Sequence, residues 1–269
     1  MRQLLRRIAI GVLSTLSPTF LRRVFSLTAS VQSNENKLLL GLLTMWGSIA
    51  NLKRNSFAPR TVIDVGAYVG EWTQGIRAVY PESRCLMVEA NPDNRDALEA
   101  VGRQLQGRVS VHIALLGAEA RQSMPFYLVG TGSSVLREDT SVAKTQIVLP
   151  MFTLDQVAAD AQLEPPIFLK LDVQGYELEV LRGGLRVLGE TEVALLEVSL
   201  IEYNQDAPLF ADVVEFMNAK GFVLYDICGQ HRRQTDHALF QVDVIFVRKD
   251  SHLRTRKRFW NSEHDVAAY

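Results

Sequence analysis

The residues best suited to chemistry are acids that follow apolar runs. In "TVIDVGAYVGEW", Thr61 to Trp72, Asp64 precedes Gly66 and Gly70. "RCLMVEA" carries Glu89, "IFLKLDV" ends near Asp172, "VALLEVSL" contains Glu197, and Glu177 follows shortly after Asp172. Carboxylates are costly in a core, so acids closing apolar strands point to a ligand. Gly66 and Gly70 permit a tight turn and close approach to the backbone. The N–H groups opening the next helix then face a polar or anionic group. Glu89, 19 residues past Gly70, can accept hydrogen bonds from both hydroxyls of a ribose, as in dinucleotide sites. NAD is therefore the first competitor. Against it, the glycines are spaced G-x-x-x-G rather than G-x-G-x-x-G, and Asp64 would repel a pyrophosphate. A ligand with a ribose at one end and a cationic amino-acid group at the other suits both acids, and S-adenosylmethionine (SAM) is such a ligand.

These residues need a sheet to carry them. "TVIDV", "RCLMVEA", "VSVHIALL", "IFLKLDV" and "VALLEVSL" read as strands. Between them lie helical stretches: Gly70 to Tyr80, Asn91 to Leu105 with Asn91 as cap and Pro92 at its first position, "YELEVLRGGLRVL" broken at Gly183-Gly184, and Pro208 to Lys220. Strand–helix alternation of this kind predicts an α/β fold, a doubly wound and mostly parallel Rossmann-like sheet of seven strands. "FVLYDIC" and "QVDVIFVR" pair as a terminal hairpin. Gly117 to Met151 reads as a loop-rich insertion with two short strands, "MPFYLV" and "TQIVLPM", and "TLDQVAADA" as a short helix. Ligands of such sheets bind beyond the carboxyl ends of the strands, here Asp64, Glu89, Ala114, Asp172 and Glu197.

The bulk composition agrees with a globular chain. Of 269 residues, 47% are hydrophobic and 22% charged, and the net charge is −1. No overall basic field favours nucleic acid. Residues 1–55 nonetheless hold eight Lys and Arg against the single acid Glu35. That segment reads as helices, a cap over 1–58 whose basic side could touch a membrane surface peripherally. A main domain spans 59–250, and a basic tail 251–269. The longest uncharged runs, Ile8–Leu21 and Leu38–Leu52, fall short of the roughly 20 apolar residues a spanning helix needs. Cys85 and Cys228, both in strand-like runs, read as buried thiols of a reducing compartment. A cytoplasmic location, with membrane association through the first helix as an option, is the expectation.

Several segments then align with a known family. "VIDVGAYVGEWT" resembles the first motif of class I SAM-dependent methyltransferases, and "VEANPDN" their acidic second motif. "GSSVL", "FTLDQV", "FLKLDVQGYELEVLRGG", "LLEVSLIEY" and "VDVIFVR" are similar, in order, to the FkbM methyltransferases, over about residues 61–248. Where those proteins often carry Glu, this chain has Gln174. The resemblance implies O-methylation of a sugar or secondary-metabolite hydroxyl. It implies that Asp64, Gly66, Ala67, Tyr68, Gly70 and Thr73 surround the methionine end of SAM. Glu89, with Ala90 and Asn91, would hold the ribose, and Ala114 would lie near the adenine.

Methyl transfer is an in-line displacement that needs positioning and removal of the hydroxyl proton. Asp172, Glu197 and Glu177 are the candidates beside the sulfonium. Asp172 and Glu197 would be the oxygen pair for Mg²⁺ if a metal took part; the expected cofactor is SAM alone. Ser133 and Ser134, in a glycine-flanked turn, and Tyr203 are candidates for holding the acceptor. His112 reads as packed within a strand, and His231 and His237 as residues of the late hairpin loop that could reach the acceptor. No H-x-x-x-H or C-x-x-C spacing suggests zinc. The expected partner is a small hydroxyl-bearing molecule and not nucleic acid. The alternatives are an RNA or other N-methyltransferase and an inactive SAM-binding protein.

Overall fold

The computed structural model describes residues 44–105, 107–137 and 144–255. Helix α1 (Met45–Arg54) leads to β1 (Thr61–Val65), α2 (Glu71–Val79) and β2 (Arg84–Glu89). A 3-10 turn (Pro92–Asn94) opens α3 (Arg95–Gln104), followed by β3 (Val109–Ile113) and β4 (Leu115–Leu116). Next come β5 (Arg121–Leu128), β6 (Thr145–Phe152), α4 (Leu154–Val157), β7 (Ile167–Leu171), α5 (Glu177–Arg182) and α6 (Leu185–Glu190). Then follow β8 (Thr191–Ser199), α7 (Phe210–Ala219), β9 (Phe222–Arg232) and β10 (Leu239–Arg248).

Seven strands form one sheet in the order β3-β2-β1-β7-β8-β10-β9. The first five are parallel, and β10 runs antiparallel to both neighbours. This is the mostly parallel Rossmann-like sheet expected from the strand–helix alternation. Every residue of β1 and of β7 is buried, because helices cover both faces. On one face Ile63, Leu169 and Leu196 pack under α5, α6 and α7. On the other, Val62, Phe168, Leu195 and Ile245 pack with Ile49 and Leu52 of α1 and Ile76 of α2. α1 thus belongs to the same core as the sheet. The basic stretch before Thr44 and the tail after Thr255 lie outside the described residues, as does the expected membrane-facing helix. Among the described residues no helix is long and apolar enough to cross a membrane.

Two strand expectations need correction. "VSVHIALL" is not one strand: it breaks at Ala114, whose N–H donates to Glu89 O, and Leu115–Leu116 pair instead with Met151–Phe152. The insertion is also more ordered than its composition suggests. β5 and β6 are each eight residues long, and with β4 they make a second sheet in the order β4-β6-β5. Leu115, Phe126, Val135 and Met151 form its core.

One charged pair sits within the large sheet. Asp64 on β1 and Lys170 on β7 are direct cross-strand partners. Asp64 is fully buried and Lys170 almost so, with Nζ 3.0 Å from Asp64 Oδ1. Breaking a buried pair by removing one partner strands the other charge. Lys170→Met should therefore lower unfolding free energy by about 3–5 kcal/mol, read as a fall in the urea midpoint at constant slope.

Candidate functional site

β1 ends in a turn that the sequence makes almost without side chains. Gly66 and Gly70 have φ of +75° and +84°. A methyl group at position 66 would lie 1.9 Å from the Asp172 carbonyl oxygen. The turn after β1 and the loop after β7 therefore touch at backbone distance, and only glycine permits it. The N–H groups of Gly66 and Ala67 both donate to Val88 O, drawing the turn toward β2.

Above these strand ends lies a cavity of about 230 Å³, lined by Gly66, Ala67, Tyr68, Glu89, Ala90 and Ala114 on one side and by Lys170 and Asp172 on another. The small sheet roofs it with Phe126 and Val135, and Trp72 and Tyr176 add walls. At one end Glu89 Oε2 accepts from Tyr68 N and Oε1 from Asn91 N, each at 2.8 Å. Both oxygens are thereby oriented, with lone pairs left for a ligand. Burial raises the Glu89 pKa, and the two N–H bonds oppose it.

The other cofactor candidates are placed less directly. Asp64 does not reach the cavity; its Oδ2 accepts from Thr73 Oγ1 at 2.6 Å and its Oδ1 faces Lys170. Thr73 is likewise buried in that contact. Asn91 caps the 3-10 turn through Asp93 N, and Gly70 packs against Leu98 and Val101. The cavity wall facing these residues is Lys170, which the sequence reading passed over. Its Nζ also donates to Gly66 O at 3.0 Å, lies 3.5 Å from Asp172 Oδ2 and sits 5.7 Å from the Trp72 ring centre. Burial alone would lower its pKa, but Asp64 and Asp172 outweigh it, and the ammonium stays charged. A lysine inside an otherwise apolar strand, opposite an aspartate inside another, was the signal available for it.

At the transfer end, Asp172 directly follows β7 and lines the cavity. Gln174 Nε2 donates to Asp172 Oδ1 at 2.9 Å and to Glu197 Oε2 at 2.6 Å. Glu197 lies two residues inside β8 rather than at its end. It also accepts from Gln241 Nε2 at 3.0 Å. His231 comes to its far side, 3.9 Å from Glu197 Oε1 and 3.5 Å from Asp243 Oδ2, so Glu197, His231 and Asp243 offer three mutually close donor atoms. His237 stays in the exposed hairpin turn.

Glu177, expected among the transfer residues, is buried elsewhere. Its Oε1 accepts from Val173 N and Gly175 N at 3.1 and 3.2 Å, clamping the loop that carries Asp172 instead of facing the cavity. Ser133 lines the cavity. Ser134 does not; its Oγ donates to Gln174 O at 2.9 Å. Tyr203 packs against Phe240, ring centres 5.8 Å apart.

An α/β domain with a glycine turn, a ribose-height glutamate and an enclosed cavity at the strand ends has the architecture of a Rossmann-like methyltransferase. The sequence model of the methyltransferase FkbM domain matches residues 64–224, more than half of the chain. The protein belongs to the FkbM methyltransferase family, and its cofactor is S-adenosylmethionine. Among solved structures, methyltransferase FkbM from Methylobacillus flagellatus is similar at 19% identity and a TM-score of 0.43, over 69% of this chain and 43% of that one. This chain thus spans less than half of that relative. Magnesium protoporphyrin IX methyltransferase from Synechocystis, with bound SAM, is similar at 14% and 0.43, over 81% of this chain and 85% of that one. The 1,6-didemethyltoxoflavin-N1-methyltransferase of Burkholderia thailandensis gives 14% and 0.43, over 87% and 92%. No curated protein matches the sequence.

Burial pushes the Glu177 carboxyl up to about 7. Burial, then the Asp172, Glu177 and Asp243 carboxylates, push Glu197 up to about 9. Both folded values exceed the unfolded one, so the folded protein holds more protons and stability falls as pH rises through that window. In EDTA, thermal midpoints should drop between pH 5 and 9. Glu197→Gln, which mimics the protonated acid, should match the parent near pH 5 and melt higher than it near pH 9.

Proposed function

We propose that the protein transfers the methyl group of SAM to a hydroxyl of a sugar or secondary metabolite. The observation that carries the reading is a single cavity with Glu89 at one end and Asp172 at the other. SAM supplies an electrophilic methyl group on a sulfonium. Glu89, already oriented by Tyr68 N and Asn91 N, holds the ribose hydroxyls. Ala90 and Ala114 leave a flat apolar space at the adenine end, while Gly66 and Ala67 offer close backbone at the methionine end. Asp64 acts at one remove, by fixing Lys170 and the start of α2. Asp172 receives or orients the acceptor hydroxyl, with Oδ2 near Lys170 and Oδ1 held by Gln174. Ser133, on the roof, is within the same cavity and suits hydrogen bonding to a polyol.

Calorimetric titration with SAM and S-adenosylhomocysteine should show binding, and a methyl-release assay over a panel of sugars, hydroxylated natural products and amines should select a hydroxyl acceptor. Turnover with amines alone would replace the O-methyl reading. Asp172→Asn should leave SAM affinity within about threefold and cut the single-turnover rate at least tenfold, the order of a general-base or orienting contribution. A normal rate in that variant would remove Asp172 from the chemistry. Glu89→Ala should instead weaken SAM binding at least tenfold, about 1.4 kcal/mol or more.

A further inference from the structure

The loop after β7 is held more tightly than a connection requires. Gln174 has φ +57° although it is not glycine. Its carbonyl accepts from Ser134 Oγ at 2.9 Å and from Asn204 Nδ2 at 2.7 Å. Glu177 fixes the N–H groups on either side of it. The next residue, Gly175, has φ +92°, and a methyl group there would lie 2.8 Å from Ala207 Cβ. A sparsely populated backbone conformation persists only when its surroundings over-determine it, and such positions gather at functional sites.

All of this fixes one side chain. The Gln174 amide bridges Asp172 Oδ1 and Glu197 Oε2, 2.9 and 2.6 Å away, and the two carboxyls also lie within hydrogen-bonding reach of each other. An amide nitrogen has two N–H donors, one for each carboxyl group. The opposite amide orientation would press a carbonyl oxygen against both acids. Two neighbouring acids that share one central partner are also the usual setting for a divalent cation, which takes oxygen ligands at about 2.0–2.6 Å. Here the shared partner is a nitrogen that donates and cannot ligate.

We propose that Gln174 is a positioning residue that fills the place of a shared divalent cation, aligning Asp172 for methyl transfer through a neutral two-pronged hydrogen bond to Asp172 and Glu197. The Mg²⁺ pairing of these two acids that their strand-end placement first suggests does not fit the site. The role in alignment rests on the methyl-transfer reading of Asp172. With Oδ1 on Gln174 and Oδ2 toward Lys170, neither Asp172 oxygen is free to rotate away from the cavity.

The test compares the full-length protein with Gln174→Glu, Gln174→Ala, Asp172→Asn and Glu197→Gln, using Mn²⁺ with detection by electron paramagnetic resonance. The parent should hold no Mn²⁺ that depends on Asp172, whereas Gln174→Glu should gain one such ion. SAM affinity should stay within about threefold in all variants, because Gln174 is outside the cavity lining. Once an acceptor is in hand, Gln174→Ala should lose at least tenfold in turnover with little change in KM. The turnover of Gln174→Glu should be low in EDTA and recover with Mn²⁺ or Mg²⁺, a rescue that a merely structural role would not produce. Mn²⁺ bound by the parent and released both by Asp172→Asn and by Glu197→Gln would overturn the proposal, and that arm needs no folded Gln174 variant. So would a Gln174→Glu protein that melts normally, binds SAM and takes up no Mn²⁺. Failure of the parent to bind SAM would remove the methyl-transfer reading alone, and the Mn²⁺ comparison would still decide what occupies the space between the acids.

Discussion

The ion pair between Asp64 and Lys170 holds the two halves of the site together. A carboxylate fully buried on a central strand is tolerable only with a partner that is itself fixed. Lys170 is fixed by register, directly across from Asp64. Its ammonium has three donors, and three oxygens surround it: Asp64 Oδ1 and Gly66 O at 3.0 Å and Asp172 Oδ2 at 3.5 Å. Asp64 in turn holds Thr73, the first buried residue of α2. One pair therefore ties together the glycine turn, the helix after it and the loop that carries Asp172.

Trp72 carries the same unit outward. Its ring lies under the Lys170 ammonium on one side and stacks with Trp46 of α1 at 6.1 Å between centres. Trp46 reaches it across Gly75, where a methyl group would meet the indole at 2.3 Å. A glycine within a helix costs up to about 1 kcal/mol; here it admits a second aromatic ring behind a cavity wall. Helix α1 is thus part of the support behind this cavity wall.

The parts of this arrangement differ in how plainly the sequence shows them. Most strand positions, the glycine turn and the acids in apolar runs could be read because each depends on periodicity or on a residue type out of place in an apolar run. Their partners could not. Lys170 sits 106 positions from Asp64, and His231, which reads from the sequence as part of the late hairpin loop, meets Glu197 from a neighbouring part of the sheet. β9 instead runs through Arg232, past an irregularity near Asp243 and Val244. Gly229 faces Asp243 so closely that a methyl group would lie 1.9 Å from its carboxylate. Ser134 and Ser133 are neighbours in sequence, yet one clamps Gln174 while the other lines the cavity. Which serine turns inward depends on the bridge between Tyr127 and Ser134, a pairing local composition does not encode. Glu177 looked like Asp172 in type and setting, but helix geometry directs it back into its own loop.

The charge around the cavity also changes how a cationic donor is accommodated. Asp64 alone suggested direct contact with an ammonium. With Lys170 between them, two carboxyl groups flank one ammonium, and the surplus acid is the one at the cavity, Asp172. The direct contact with a cationic group that Asp64 alone suggested is thus taken by Lys170, and the acid that lines the cavity is Asp172. Burial and then its acidic neighbours push the Glu197 carboxyl up to about 9, which disfavours a further charge there. Its contribution is to anchor Gln174 and Gln241. Gln174 and Gln241 thus brace the Glu197 carboxyl among its acidic neighbours without adding charge to the site.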